Sequence, residues 1–559
     1  MTQGTRETRT LLAASFAITG ALWGVFTLLR TGVEPFTIPV FRHLLLFQDY
    51  YALLPFAAIL LLAYAPPVRA ASARVASWCG LHPGAVAALT SAGAALGGWL
   101  VYRGEPLSMD EYAMLFQGRV FAEGQLSAHL PRELLDWVIA PWMREFFMVD
   151  RRAASVAAAY WPGFALLLAP FAKLGVPWLL NPLLGGATVL VVHRLALELF
   201  DGERESAGYV VLFTVASPAV TFNAFSFYSM PAHLLANALF ALLLVRPGVT
   251  RAFAAGLVGS FALVLHNPAP HLLFALPWIG WLAWRRDTRQ LGALLAGYLP
   301  LGLALGWGWA VFSDRVNAAA TAGAALSAVP VDPPSVLEAL TRRLPALGGE
   351  ASKTDARTSH LLSLGKLWLW AAPALLAAAA LGAWRRRHDR GVWLVLALSA
   401  LFTYLAYFLV RFDQGHGWGA RYFHSAWLVV PLFAASALRF SSDSKNLSGY
   451  LAGCAVLGLV VLTPFQALQA ERFVARHRAQ LPAAEGEGRV LFIDPRGGYF
   501  NWDLAQNDPF LRNRVLRLTS RSPQVDAAAM AQLFPQYRLL SADRRGSVWG
   551  LPPSTAGKN

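Results

Sequence analysis

The chain has 559 residues, of which 56% are hydrophobic and only 14% charged, with 20 Trp and 34 Phe. That composition argues against a soluble enzyme and fits a polytopic helical membrane protein, whose spans each take about 20 apolar residues. The formal charge of +15 does not signal nucleic acid, because the arginines fall between apolar runs, as positive-inside loops and headgroup anchors do.

The first apolar run, Leu11 to Leu29, follows Arg6 and Arg9 and lacks a small-residue cleavage site, so it reads as an uncleaved anchor. Spans are expected near 11–30, 48–66, 83–101, 177–198, 207–223, 231–245, 252–266, 271–284, 291–312, 367–383, 392–410, 426–438 and 449–467, about 13 transmembrane helices. Cys79 and Cys454 lack metal-ligand spacing and suggest no disulfide. With the N-terminus inside, the inner loops hold Arg69, Arg74, Arg204, Arg246, Arg251, Arg285, Arg286 and Arg289, then Arg385 to Arg387, Arg390, Arg439 and Lys445. The short outer loops 224–230 and 267–270 hold no Lys or Arg. This alternation follows the positive-inside rule. It places outside the segments 102–176 and 313–366 and everything from about 468.

The first outer segment is expected to carry helices at 110–122 and 132–148, the second with Trp and Phe on one side so that it can lie in the headgroup plane. Phe164 to Phe171 is expected as a short juxtamembrane helix. The tail changes character: Arg489 to Asp494, Val515 to Leu518, Tyr537 to Leu540 and Ser547 to Trp549 read as strands and Val525 to Phe534 as a helix. The expected fold is therefore an all-α polytopic membrane domain over 1–467, followed by a small extracytoplasmic α/β domain over 468–559.

Candidate chemistry centres on Asp110 and Glu111, adjacent carboxylates just past the end of an apolar run. Burial of unpaired carboxylates is prohibitive, so water, a metal or a substrate must hold them. The chain shows no Walker-type phosphate loop and no His/Cys metal constellation. Its energy must then come with an activated substrate, which a lipid-linked phosphate donor supplies. Such a site needs a base for the acceptor and cations for the leaving phosphate.

The stretch Ser108-Met-Asp-Glu-Tyr-Ala-Met-Leu-Phe-Gln-Gly-Arg119 resembles the first outer loop of GT-C glycosyltransferases, in particular the protein O-mannosyltransferase and lipid A aminoarabinose transferase superfamily. Tyr160-Trp-Pro-Gly163 is similar to the Pro-rich segment later in that loop, and Gly417-Trp-Gly-Ala-Arg-Tyr422 to the Gly-x-Arg-Tyr element before a late span. Asn181-Pro182 and Gly185-Gly186 suit the next span of the group. Trp161 departs from the family, which often has Pro there, and two extra spans precede the one leading into Asp110.

The resemblance implies a polyprenyl-phosphate sugar donor and an inverting single displacement. Asp110 is the expected catalytic base, with Glu111 shaping the site or binding an acceptor or metal; the alternative is a pair of solvated helix-start carboxylates favoured by the helix dipole. Arg421 is the expected phosphate clamp, against a headgroup anchor or an ion pair with Asp413. His416, His266 and Asn267 are expected donor contacts, against turn and capping roles. Tyr160 and Tyr422 are expected to line a sugar or lipid cleft. One Asp-Glu pair makes a thin site for a divalent cation, and metal use stays open. The expected partners are the lipid-linked donor, an extracytoplasmic acceptor and membrane lipids, and the expected location a bacterial inner membrane. The rival readings are a ligase moving a whole lipid-linked glycan, and a transporter or flippase, which predicts charged residues near mid-span.

Overall fold

A computed structural model of the chain describes residues 6–31, 40–321, 353–410, 413–484, 486, 488–497 and 500–552. Most of the second expected outer segment, 322–352, lies outside the described residues. The chain is mainly helical. Among the described residues, six helices are long and apolar enough to cross a membrane: Arg6–Thr31, Val40–Leu62, Pro177–Leu199, Thr288–Val316, Val392–Leu409 and Ser444–Arg478. The protein is therefore a multi-pass membrane protein.

Other expected spans are shorter apolar helices, among them Met230–Leu244, Val249–Leu263, Leu375–Arg385 and Val429–Arg439. Two are divided where the backbone demands it. The run expected at 207–223 is two helices, Arg204–Val215 and Pro218–Asn223, because Pro218 starts a new helix and cannot continue the old one. The run expected at 367–383 starts inside helix Lys353–Leu369, and Leu375–Arg385 follows only after Ala374 has turned into the left-handed region at φ 63°.

The chain forms two compact units, each built from three stretches of sequence. The larger comprises Met1–Arg103, Trp178–Gly306 and Leu340–Gln469. Its helices approach closely where side chains are small. A Cβ on Gly256 would come within 2.8 Å of the Gly297 Cα, so helices Val249–Leu263 and Thr288–Leu301 meet backbone to backbone. Inside this unit Asp49 and Lys366 form a fully buried ion pair at 2.8 Å, and Trp370 Nε1 donates to the same carboxylate at 3.1 Å. Asp49 closes a π-helical turn, Leu45–Asp49, inside the span Val40–Leu62.

The smaller unit comprises Gly104–Pro177, Trp307–Ala339 and Ala470–Asn559. Among the described residues it holds two sheets. Strands β1 (Ala128–His129), β2 (Phe147–Asp150) and β3 (Ser155–Ala158) form an antiparallel sheet in the order β1-β3-β2. Strands β4 (Arg489–Ile493), β5 (Val515–Thr519), β6 (Arg538–Asp543) and β7 (Gly546–Gly550) form the second, in the order β5-β4-β7-β6. Within it β4 runs parallel to β5, the connection between them carrying the 3₁₀ turn Asn501–Leu504, and helix Pro523–Leu533 follows β5 and leads into the antiparallel β6-β7 pair.

One hydrophobic core joins the first outer segment to the tail: Tyr112, Phe116, Phe147 and Val156 pack in the same cluster as Phe492, Leu518 and Met530. The helix expected at 132–148 ends at Val138, because Pro141 opens a 3₁₀ turn and β2 follows. Its apolar side does not face lipid headgroups. Leu135 and Val138 are buried in this core, and the Trp137 ring meets Phe492 edge-on at 5.6 Å.

Candidate active site

Helix Met109–Ala122 begins the way its sequence dictates. Ser108 is the N-cap in extended backbone, and Glu111 at the third helical position completes a capping box. Glu111 Oε2 accepts from the Leu107 amide at 2.9 Å, the Ser108 amide at 3.1 Å and the Ser108 hydroxyl at 3.3 Å, and the residue is fully buried. These donors supply what a buried carboxylate requires. Glu111 is therefore not a solvated helix-start carboxylate.

Asp110, one position earlier, is half-buried, and the Tyr160 hydroxyl donates to its Oδ1. Tyr160 is itself placed by its backbone: its carbonyl accepts from Trp309 Nε1 at 2.9 Å, and it follows β3 directly. The helix that carries Asp110 packs on helix Gly163–Lys173, where Gly118 lets the Leu168 side chain approach to 2.9 Å of a virtual Cβ. On the core side of the same helix the Tyr112 hydroxyl donates to the Asn507 carbonyl at 2.7 Å, and burial raises the pKa of its phenol. The smaller unit thus brings together Asp110, Glu111 and Tyr160.

The larger unit brings together a second set. In the loop after Asp413, Gly415, Gly417 and Gly419 all adopt positive φ, a run that only glycine accepts without strain. The loop folds round Arg421, whose Nη1 donates to the carbonyls of Gln414 at 2.8 Å and His416 at 2.9 Å. The guanidinium carbon lies 4.2 Å above the Tyr228 ring, a cation–π contact. Gln414 secures the loop with both ends of its amide, donating to the Gly419 carbonyl at 2.8 Å and accepting from the Arg421 amide at 3.0 Å. Tyr422 stacks flat on Tyr407 at 4.3 Å, and its hydroxyl donates to the Asp413 carbonyl at 3.0 Å. His416 is buried in the same loop.

His266 and Asn267 lie on the turn before helix Ala269–Trp284. Asn267 Oδ1 accepts from the Ala269 amide at 3.1 Å, a capping bond. The same turn is tied to the Arg421 region through Pro270, whose carbonyl accepts from Asn237 at 3.3 Å and Ser425 at 3.2 Å. His271 is fully buried between Asn237 and Tyr298, each at 2.7 Å, a packing role.

Gln414 and Trp309 were not legible as site residues. Each acts through a backbone partner brought close only by folding, and neither belongs to a motif. Among the described residues, no three His, Cys, Asp or Glu side chains converge in a way that could hold a metal ion.

No family model matches the sequence, and no curated protein matches it either. The structure does have counterparts. It is similar to the crystal structure of ArnT from Cupriavidus metallidurans in the apo state, with a TM-score of 0.52 at 12% identity over 84% of this chain and 99% of the other. The structure of ArnT from the same organism bound to undecaprenyl phosphate aligns over the same shares at 12% identity, with a TM-score of 0.49. The likeness to the apo structure shows that the chain shares the fold of that protein.

Proposed function

We propose that this chain is a glycosyltransferase that moves a sugar from a polyprenyl-phosphate-linked donor to an extracytoplasmic lipid, glycan or protein acceptor. The observation that carries the reading is the division of labour at the start of helix Met109–Ala122. Glu111 is engaged by the amides and hydroxyl of the N-cap, whereas Asp110 accepts from the Tyr160 phenol and keeps part of its surface exposed.

Asp110 takes the proton of the acceptor hydroxyl as that oxygen attacks the anomeric carbon. The bond from that carbon to the donor phosphate breaks, its electron pair leaves on the phosphate oxygen, and the anomeric centre inverts. Tyr160 orients the Asp110 carboxylate. Glu111 is a positioning residue, fixing the turn from which Asp110 projects. Arg421, braced on Tyr228 and its own loop carbonyls, contacts the leaving phosphate, and His416, Tyr422, His266 and Asn267 line the donor's path. A guanidinium keeps its charge at any working pH and suits phosphate oxygens.

The orientation in this reading is N-terminus cytoplasmic and tail extracytoplasmic, in a bacterial inner membrane. It draws support from how the expected inner loops meet one another in the larger unit. Arg385 pairs with Glu7 at 2.9 Å, Arg439 with Asp201 at 3.2 Å, Arg246 with Glu198, and Thr8 donates to Asp443 at 2.8 Å.

A second reading has one observation in its favour. A transporter is expected to carry charge inside its spans, and Asp49–Lys366 is such a pair. The same experiment separates the two: transfer of radiolabelled sugar from a panel of polyprenyl-phosphate donors to membrane acceptors, wild type against correctly inserted Asp110→Asn. Transfer that falls by about 10²–10⁴ in the variant is the expected loss of a general base. Equal transfer by both removes Asp110 from the chemistry, and no transfer by folded wild type favours the transporter.

A further inference from the structure

Within the smaller unit, the loop that joins β4 to β5 is bonded to helix Met109–Ala122 and to both of its flanks. Ahead of the helix, Gln506 Nε2 donates to the Pro106 carbonyl at 3.1 Å. In the first turn, the Tyr112 hydroxyl donates to the Asn507 carbonyl at 2.7 Å and accepts from the Asn507 amide at 2.8 Å. At the far end, Arg512 Nη1 donates to Glu123, the C-cap residue, at 2.6 Å. That last pair is exposed and contributes little by itself. Tyr112 and Asn507 are buried, so loss of their bonds strands polar groups away from water.

Asn507 carries this hold onward to the sheet. Its side-chain amide donates to the Arg517 carbonyl at 2.7 Å and accepts from the Arg517 amide at 2.9 Å. β5 is an edge strand of its sheet, and these two bonds occupy that edge at Arg517 as a neighbouring strand would. The loop is bent to make its contacts. Leu511, just before Arg512, is held at φ 54°, a conformation that costs energy in any residue but glycine. Asp110 shares the first turn of the helix with Tyr112. Residues two apart on a helix do not face the same way, so the tail grips the helix away from the side on which Asp110 projects.

We infer that the tail is a brace for the helix that carries the base, with Asn507 as a positioning residue that acts on Asp110 through Tyr112. The inference rests on the reading of Asp110 as the base. Its consequence is that the tail serves turnover rather than acceptor capture. A reacting group misplaced by about 1 Å can lose about a hundredfold in rate, so a brace remote from the chemistry still sets kcat.

The test uses the full-length protein in detergent, with hydrogen exchange of residues 109–122 and steady-state transfer measured on the same samples. Tyr112→Phe keeps the packed ring and removes the hydroxyl, and Asn507→Ala keeps the backbone bonds and releases β5. Both are expected to speed exchange of 109–122 while the span Pro177–Leu199 exchanges as in wild type. Both are expected to lower kcat by about tenfold with the acceptor KM unchanged. Combined with Tyr160→Phe, each is expected to lose less than the product of the two single effects, because both act on one carboxylate. Unchanged exchange of 109–122 overturns the inference. So does faster exchange at unchanged kcat, which is a purely structural role. A raised acceptor KM at unchanged kcat overturns it too and makes the tail an acceptor surface. If either variant fails to fold, Gln506→Ala removes a half-buried donor and carries the same test with a smaller effect. Asp110→Asn separates the two readings: full transfer by that variant removes the base, while exchange of 109–122 still decides whether the tail braces the helix.

Discussion

A carboxylate at the third position of a helix can fold back onto the amides that precede it, whereas one at the second points away from them. That difference separates Glu111 from Asp110. Glu111→Gln keeps a side chain that can accept from the Ser108 amide, so the fold and most of the activity are expected to survive. Glu111→Ala removes the cap and is expected to cost about 0.5–2 kcal/mol of stability, read as a lower melting temperature in detergent. A catalytic Glu111 would instead lose activity in both variants at unchanged stability. Tyr160→Phe removes the phenol donor to Asp110 and nothing of the packed ring. Its expected effect is a kcat lower by about tenfold at unchanged stability, the equivalent of one hydrogen bond to a charged group at roughly 1.5 kcal/mol. Steady-state transfer assays with one donor and acceptor check it.

At the scale of an element, the tail helix Pro523–Leu533 starts at Ser522, which caps the Val525 amide at 3.2 Å. Asp526 in its first turn is buried, and burial raises its pKa in spite of bonds from the Ser520 hydroxyl at 2.5 Å and the Arg521 amide at 3.0 Å. The sign of the pH effect follows from that shift. A folded pKa above the unfolded value means that Asp526 stabilises the fold fully below about pH 3.9, the ordinary Asp value, and loses that contribution as pH rises through the raised one. Asp526→Asn keeps both hydrogen-bonding directions and cannot ionise. Hydrogen exchange of β4 and β5 in the full chain should therefore show the variant gaining stability relative to wild type as pH rises above about 3.9, the ordinary Asp value. A difference that stays flat with pH would show that the carboxyl is not buried against ionisation. Asp543 acts in the opposite sense: its bond from Arg545 lowers its pKa, so its contribution is lost as pH falls.

At the scale of the whole molecule, Asp49 and Lys366 are 317 residues apart in sequence and share one buried bond. Removing one partner strands a charge in an apolar interior, whereas removing both need not. Lys366→Met is expected to destabilise the protein by about 3–5 kcal/mol, and Asp49→Leu combined with Lys366→Met to restore most of that. Thermal unfolding of the four proteins of the cycle measures it, and additive single effects would remove the pair from the stability account. The pair is also linked to the Arg421 loop. Trp370, which donates to Asp49, stacks on Trp418 at 6.0 Å, and Trp418 Nε1 donates to the Tyr102 hydroxyl at 2.7 Å.

Sequence alone determined the features that depend on local chemistry. Apolar runs and the spacing of arginines decide that helices cross a membrane. Ser108 and Glu111, three residues apart, define where helix Met109–Ala122 begins, and the short runs rich in apolar residues at 489–493 and 515–519 mark strands. The Asp110 and Arg421 motifs were legible because their residue types and turns are contiguous. Tertiary structure decided what depends on partners distant in the chain. Helix 132–148 has an amphipathic pattern that suits lipid as well as protein, and only folding supplied Phe492 as the neighbour of Trp137. Asp49 lay at the expected edge of a span, and its burial became visible only with Lys366 beside it. Asp110 and Glu111 look alike in sequence because a carboxylate carries no mark of its future donors. The amides at 107 and 108 and the hydroxyl of Tyr160 separate them, and those donors exist as a set only once the helix has formed and β3 has brought Tyr160 alongside.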